Sequence, residues 1–129
     1  DVVALIGAHT IGRAFKERSG TVEEGVFKGT AYTSKGCPVL EKSETPGGRS
    51  WTKNWLKFDN SYFTDMGNKD NDTVTFPTDS VLMSDSGFRP HFEDFKRSQD
   101  AFFAAYICSH KKLSELGSKF EPKAGITGV

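Results

Sequence analysis

The residues from Gln99 to Leu116 give the strongest structural signal in this 129-residue chain. Their apolar side chains recur every three or four positions, which is typical of a helix with one buried face. Asp100 suits the positive end of the helix dipole, and Gly117 is the residue type that commonly follows a helix. The predicted inner face consists of Phe102, Phe103, Tyr106, Ile107, His110, Leu113 and Leu116.

Four other segments also have helical patterns. Residues 1–14 predict a short buried helix capped by Asp1, and the apolar spacing from Trp51 to Met66 predicts a longer one. Shorter helices are predicted from Thr78 to Met83, with Thr78 as the cap, and from Phe88 to Phe95. Since no strand-like run is long enough to support a sheet, the predicted fold class is all-α.

Residues 15–50 form the irregular part of the chain. Turn residues such as Pro38 and the run Pro46-Gly47-Gly48 interrupt any periodic pattern. A loop of this length in a compact domain is usually functional or disordered. Residues 118–129 are expected to be an extended, loosely attached tail.

Composition excludes several classes of function. The 17 acidic and 17 basic residues balance, which gives no argument for nucleic acid or an anionic membrane as a partner. The longest apolar run, residues 2–6, is far too short to span a membrane. Cys37 and Cys108 belong to no Cys-x-x-Cys motif and are interpreted as free thiols. Because Asp1 leads straight into an apolar helix, the chain is expected to be a fragment, a processed product or a partial chain.

His9 is the histidine with the most informative surroundings. It follows an apolar helix and lies among small residues, Gly7, Ala8 and Gly12, which would let a broad planar group approach the backbone. An imidazole in such a place can bind the iron of a macrocycle, but a hydrogen-bonded core histidine fits the same pattern. His91 is expected at the surface, and His110 near the inner face of the last helix.

Asp79 is the candidate partner for His9. A metal-ligating histidine needs an acceptor for its second ring nitrogen, and the Phe76–Asp79 run places a carboxylate at the start of a short helix. The alternative is an ordinary acid in the first helical turn. Sequence spacing alone does not bring Asp79 to His9.

A family resemblance bears on this choice. The run VALIGAHTIGR at residues 3–13 resembles the proximal-histidine signature of class I plant-type haem peroxidases. Five further blocks match in the expected order, at residues 47–52, 55–63, 77–79, 100–103 and 110–117. Within that class the chain is similar to ascorbate peroxidases of the chloroplast type, which implies a chloroplast location, in the stroma or associated with thylakoids. Residues 21–46 would be the long loop insertion of that type.

The resemblance implies roles for three residues around the cofactor. His9 would be the axial ligand of haem b, and Asp79 would accept the N–H of His9 and make its imidazole more anionic. Trp51 would stack near His9 and share Asp79, although helical spacing alone would make Trp51 a core aromatic residue.

A potassium site is also implied. The matching residues are Thr10, Thr52, Asn54, Lys57 and Asp59, with Lys57 offering its backbone carbonyl. Taken alone, these oxygen-bearing groups would be interpreted as helix caps and turns. Hard monovalent cations favour such oxygens, and a cation there would disfavour an indole radical on Trp51 by repulsion.

The resemblance also matches Arg18 to the family arginine that binds ascorbate. A guanidinium suits this role, since it can bind the ascorbate anion with directed hydrogen bonds. The alternative is a solvated loop charge. Phe15 departs from the family pattern, in which a polar or basic residue is common, and this puts the contacts to a haem propionate in doubt.

The distal arginine and histidine of the family, which act on hydrogen peroxide, have no counterpart here, since Arg89-Pro90-His91 has the wrong spacing. Residues 1–117 are thus expected to form the proximal half of a haem peroxidase. It would need an N-terminal distal segment, in the same protein or on another chain, to reduce hydrogen peroxide with ascorbate. The competing hypothesis is a haem-free, non-catalytic subunit that docks within a larger assembly.

Overall fold

The structure, a computed structural model, describes residues 1–14, 49–67 and 73–120. Arg18, Phe15, Cys37, the predicted insertion at 21–46 and residues 121–129 therefore lie outside the described residues. The helices are α1 (Val2–Ile6), α2 (Ser61–Asp65), α3 (Pro77–Ser84), α4 (Arg89–Arg97) and α5 (Gln99–Glu115), and a 3₁₀ turn spans Gly7–Thr10. The prediction of an all-α fold is confirmed.

Helix α5 is the element around which the others pack. It contacts both α1 and α4, while α2 packs against α4 and the 3₁₀ turn. The Ser98 hydroxyl caps its first turn by accepting the Ala101 N–H at 3.1 Å, and Gly117 follows its end with a φ of 79°. The helix and its glycine stop were both predicted correctly from the sequence.

The core is mainly aromatic. Phe102 of α5 lies against Phe63 of α2, with ring centroids 5.0 Å apart and planes at 69°. Phe63 also meets Phe92 and Phe95 of α4 edge-to-face, at 5.4 and 5.5 Å. Each such pair adds roughly 0.5–1.5 kcal/mol beyond the area it buries. The core therefore holds α2, whose residues also reach the candidate site, against α4 and α5.

The inner face predicted for α5 is only partly correct. Phe102 is fully buried, and Phe103 and Tyr106 are half-buried against the core, but Ile107 is 67% and Leu116 81% exposed. Leu113 and His110 are exposed as well, and His110 stacks on Tyr106. Only the first half of α5 crosses the aromatic core, so periodicity overstated how far its buried face extends.

The first predicted helix is shorter than residues 1–14. Helix α1 ends at Ile6 and is followed by the 3₁₀ turn. Gly12 then has a φ of 88°, which is incompatible with a right-handed helix. The Asp1 side chain does not cap α1. It accepts from the Ser109 hydroxyl at 2.7 Å and from Lys112 Nζ at 2.8 Å, which ties the start of α1 to α5.

The helix predicted from Trp51 to Met66 is also wrong for its first half, because only Ser61–Asp65 is helical. Bonds to the 3₁₀ region replace helical ones. The Gly12 N–H donates to the Trp55 carbonyl at 2.8 Å, and the Thr52 hydroxyl donates to the Thr10 carbonyl at 2.8 Å. These bonds hold the segment beside His9.

A small antiparallel ladder was not predicted. Arg13–Ala14 (β1) pairs with Arg49–Ser50 (β2), with Arg13 opposite Ser50 and Ala14 opposite Arg49. Two residues per strand are too few for an alternating pattern to be visible in sequence. The ladder brings residues 49–52 next to the end of the 3₁₀ turn and so positions Trp51.

The other two predicted helices are present with shifted ends. Helix α3 begins at Pro77, so Phe76 and not Thr78 occupies the cap position. Helix α4 has Pro90 in its first turn and extends to Arg97, two residues beyond the predicted end. His91 is exposed, as expected.

Gly7 gives a test of this packing. A Cβ at Gly7 would lie 2.5 Å from Phe102 Cε2 and 2.8 Å from Phe63 Cζ, which no unstrained contact allows. Gly7→Ala is expected to lower the free energy of unfolding by about 1–3 kcal/mol through overpacking. Urea denaturation of the full-length protein measures this, with Ser86→Ala on an exposed loop as the control. Equal stability of the two variants would contradict the described packing.

Candidate functional site

His9 lies in the 3₁₀ turn that follows α1, where the backbone leaves the core. Its side chain is 35% exposed, so one edge of the ring faces the core and the other faces outward. The sequence predicts open space at Gly7 for a planar group, but the rings of Phe102 and Phe63 occupy that space. Gly7 thus serves the packing of the core.

Asp79 is placed by the first turn of α3. Pro77 fixes the first helical residue, and Asp79 Oδ2 accepts the Phe76 N–H at 2.7 Å, a helix N-terminal bond that orients the carboxylate. The side chain is completely buried. An acid in this position needs strong partners to remain ionised.

The partners are four hydrogen-bond donors that surround the Asp79 carboxylate. Oδ1 accepts from His9 Nδ1 at 2.9 Å and from the Tyr62 hydroxyl at 2.7 Å. Oδ2 accepts from Trp51 Nε1 at 2.9 Å and from the Phe76 N–H. Each carboxylate oxygen thus has two donors, which is its usual capacity.

These bonds determine the ionisation of Asp79. Burial alone would raise the pKa of Asp79, but the hydrogen bonds from His9, Tyr62 and the Phe76 N–H outweigh it and hold the pKa below its ordinary value. Burial and the negative charge of Asp79 raise the pKa of Tyr62, so its hydroxyl keeps its proton and acts as a donor.

The ionised carboxylate sets the tautomer of His9. Because a carboxylate only accepts, the Nδ1 of His9 must carry a hydrogen, and in neutral imidazole the lone pair is then on Nε2. Within residues 1–14, 49–67 and 73–120, no hydrogen bond reaches Nε2. A half-exposed imidazole with a tethered Nδ1 and a lone pair on Nε2 fits the axial ligand of a metal in a planar macrocycle.

Trp51 forms one wall of the site. Its ring lies parallel to His9, with centroids 3.9 Å apart and an angle of 10°, and Phe76 meets its other edge at 5.6 Å. Since Trp51 also donates to Asp79, stacking and hydrogen bonding fix the same plane for both rings. The structure therefore brings His9, Asp79 and Trp51 together, as the resemblance implied.

Tyr62 is a member of this cluster that the sequence did not single out. Tyr62 falls within the apolar spacing from Trp51 to Met66, which predicted a helix and no role in the site. A buried tyrosine usually finds a partner for its hydroxyl, which was the available signal. It did not identify the partner, which lies in another element.

Four of the five residues of the implied cation site, all except Asn54, lie together beside the 3₁₀ turn. The buried Thr10 hydroxyl lies 3.1 Å from Asp59 Oδ1 and 3.4 Å from the Lys57 carbonyl. The Thr52 hydroxyl reaches the Thr10 carbonyl. Burial alone would raise the pKa of Asp59, but hydrogen bonds from Ser61, Thr10 and Lys57 hold it below its ordinary value.

Asn54 is the outlying member of this group. It is exposed, and its carbonyl accepts the Lys57 N–H at 2.8 Å in a turn. The Lys57 ammonium lies 3.3 Å from Asp59 Oδ2, on the outer side of that carboxylate. The buried hydroxyl of Thr10 and the buried carboxylate of Asp59 therefore lie together and are hydrogen-bonded to each other.

Other predicted residues lie apart from the site or outside the described part of the chain. Arg18, the implied ascorbate-binding residue, falls among the latter. Cys108 is a free, exposed thiol. The described residues contain no cluster of three or more His, Cys, Asp or Glu side chains suited to a metal ion, and none of their helices is long and apolar enough to cross a bilayer.

Fold and site together define a class: helical proteins in which a buried carboxylate orients an imidazole through one ring nitrogen, while the described residues make no hydrogen bond to the other. The chain belongs to the peroxidase family, whose model matches residues 1–98.

Among its relatives, a probable chloroplastic L-ascorbate peroxidase 5 of Oryza sativa subsp. japonica is 48% identical over 98% of this chain and 37% of its own length. The chloroplastic L-ascorbate peroxidase T of Arabidopsis thaliana is 45% identical over 98% of this chain and 28% of its own length. A cytosolic rice L-ascorbate peroxidase 2 is 43% identical over 91% of this chain and 37% of its own length. The chain thus spans about a third of these relatives.

The Asp79 network predicts a pH-dependent stability. Because the folded pKa is depressed, the stabilisation is present above the unfolded pKa of about 3.9 and is lost as pH falls through the folded value. Asp79→Asn places an amide NH₂ against two donors and is expected to cost about 2–4 kcal/mol near neutrality.

Urea denaturation between neutral and strongly acidic pH measures both effects in the full-length protein. The difference in the free energy of unfolding between wild type and Asp79→Asn should become smaller as the pH falls. Asp100→Asn, which changes an exposed carboxylate in the first turn of α5, should lose only the roughly 0.3–1 kcal/mol of its helix-dipole interaction. If this difference did not change with pH, the result would contradict an ionised Asp79 in the folded protein.

Proposed function

We propose that this chain provides the haem-binding proximal side of an ascorbate peroxidase, which reduces hydrogen peroxide with ascorbate as the electron donor. The single observation that supports this most is the His9–Asp79 bond, which leaves Nε2 of a half-exposed imidazole available. Family membership and the similarity to enzymes named ascorbate peroxidases support the same function.

Haem b, when bound, supplies the iron at which hydrogen peroxide is reduced. His9 Nε2 would hold that iron. Asp79 would keep a proton on Nδ1 and increase the electron density of the imidazole, since an acceptor on the second nitrogen makes a histidine ligand more basic. Trp51, parallel to His9 at 3.9 Å, would keep the imidazole from rotating.

The peroxide-facing side is proposed to come from a distal segment with an arginine and a histidine, in the same protein or on another chain. Arg18 is proposed to bind the ascorbate anion through its guanidinium. A chloroplast location is proposed because several of the relatives are named chloroplastic.

A bound potassium ion is part of the proposal. Thr10, Thr52, Asn54 and Asp59 would provide oxygen ligands, with the backbone carbonyl of Lys57. Thr10 and Thr52 adjoin His9 and Trp51 in the chain, so a cation there would raise the electrostatic cost of a positive charge on the Trp51 indole. This favours oxidation of a small anionic donor over a radical on Trp51.

The first test replaces the proposed ligand. His9→Ala is expected to abolish the Soret band that haem titration produces in the full-length protein, because it removes the only imidazole that the described residues hold against Asp79. His91→Ala, at an exposed histidine of α4, should bind haem as the wild type does. A wild-type spectrum from His9→Ala would refute the axial assignment, and a wild type that binds no haem would favour a non-catalytic subunit.

The second test concerns the cation. Potassium chloride, compared with tetramethylammonium chloride at equal ionic strength, is expected to raise the free energy of unfolding by about 2–3 kcal/mol at ~100 times its dissociation constant. Asp59→Asn should greatly reduce this increment, because it removes the formal charge of the site. Asp100→Asn should leave it unchanged. The same free energy of unfolding in the two salts would contradict the cation site.

A further inference from the structure

One oxygen of Asp79 is shared between His9 and Tyr62. Oδ1 lies 2.7 Å from the Tyr62 hydroxyl and 2.9 Å from His9 Nδ1, while the other two donors use Oδ2. The tyrosine contact is the shorter of the two. Tyr62 and His9 therefore compete for the electron density of the same atom.

The position of Tyr62 makes this competition permanent. Tyr62 is 1% exposed, and its ring is held edge-on by Phe63 at 5.1 Å and by His9 at 5.7 Å. Burial keeps solvent from replacing its hydroxyl as a donor, and the raised pKa of Tyr62 keeps the hydroxyl protonated. The hydroxyl is thus a fixed donor and not one of several alternating partners.

A hydrogen-bond acceptor on one ring nitrogen of a ligating imidazole changes the electron density on the other. The more strongly Asp79 attracts the Nδ1 proton, the more anionic His9 becomes and the more electron density its Nε2 offers a metal. A second donor on Oδ1 reduces the density available to the His9 N–H. Tyr62 consequently acts on Nε2 without touching it.

We propose that Tyr62 is a positioning residue that limits the anionic character of His9 by sharing Oδ1 of Asp79. This inference rests on the proposed function, in which His9 ligates haem iron. In the absence of Tyr62, the His9–Asp79 bond strengthens and the iron is stabilised in its ferric form.

Tyr62→Phe tests the proposal in the full-length protein, because it removes the hydroxyl and keeps the ring. In the haem-free protein, the Nδ1 proton resonance of His9, observed by ¹⁵N-edited NMR, is expected to move downfield. In the haem-bound protein, the ferric-to-ferrous equilibrium measured by spectroelectrochemistry should shift toward ferric by at least about threefold, a part of what a charge-assisted hydrogen bond contributes.

A second variant reverses the effect and does not depend on losing a buried group. 3-Fluorotyrosine at position 62 is a more acidic phenol and a stronger donor, so both readouts should move in the opposite direction. Tyr106→Phe is the matched control, since Tyr106 is a half-buried tyrosine of α5 that packs on Phe102 and does not contact Asp79. It should leave both readouts at the wild-type values.

The two readouts separate failure of this inference from failure of the proposed function. If the wild type binds no haem, the proposed function fails, and the proton resonance still decides whether Tyr62 and His9 compete. If haem binds but Tyr62→Phe changes neither the resonance nor the equilibrium, the inference is overturned, and Tyr62 serves only to satisfy a buried carboxylate.

Discussion

The buried carboxylate of Asp79 is the group on which the rest of the site depends. A charge with no exposure is costly unless every lone pair is occupied, and four donors from four segments meet this need. The 3₁₀ turn, the β2 end, α2 and the start of α3 must therefore all be in place before the site is stable. The packing of these four segments and the ionisation of Asp79 are therefore linked.

The fold provides this convergence through its aromatic core. Phe63 and Phe102 hold α2 against α5, and the absence of a side chain at Gly7 lets the turn carrying His9 approach the same rings. Tyr62 is the neighbour of Phe63 on α2, so the residue that completes the core and the residue that reaches Asp79 belong to one short helix. Movement of α2 would disturb both at once.

Local signals in the sequence predicted helices whose hydrogen bonds are formed within the helix itself, such as α5, which ends before Gly117. They failed between Trp51 and Asn60, where apolar spacing resembles a helix but bonds to Thr10 and Gly12 hold the backbone in another shape. The family resemblance implied that His9, Asp79 and Trp51 lie together, and the structure places them in contact. The role of Tyr62 was not predicted, because its bond to Asp79 joins two elements whose relative placement no local pattern encodes.

In the proposed function, Asp79 would determine how strongly His9 binds haem iron, because it accepts the Nδ1 proton. Resonance Raman spectroscopy of the ferrous full-length protein measures the iron–imidazole stretch directly. We expect a high stretching frequency in the wild type and a clearly lower one in Asp79→Asn, because the neutral amide attracts the Nδ1 proton less strongly. The same frequency in both proteins, or no iron–imidazole stretch in the wild type, would contradict this role of Asp79.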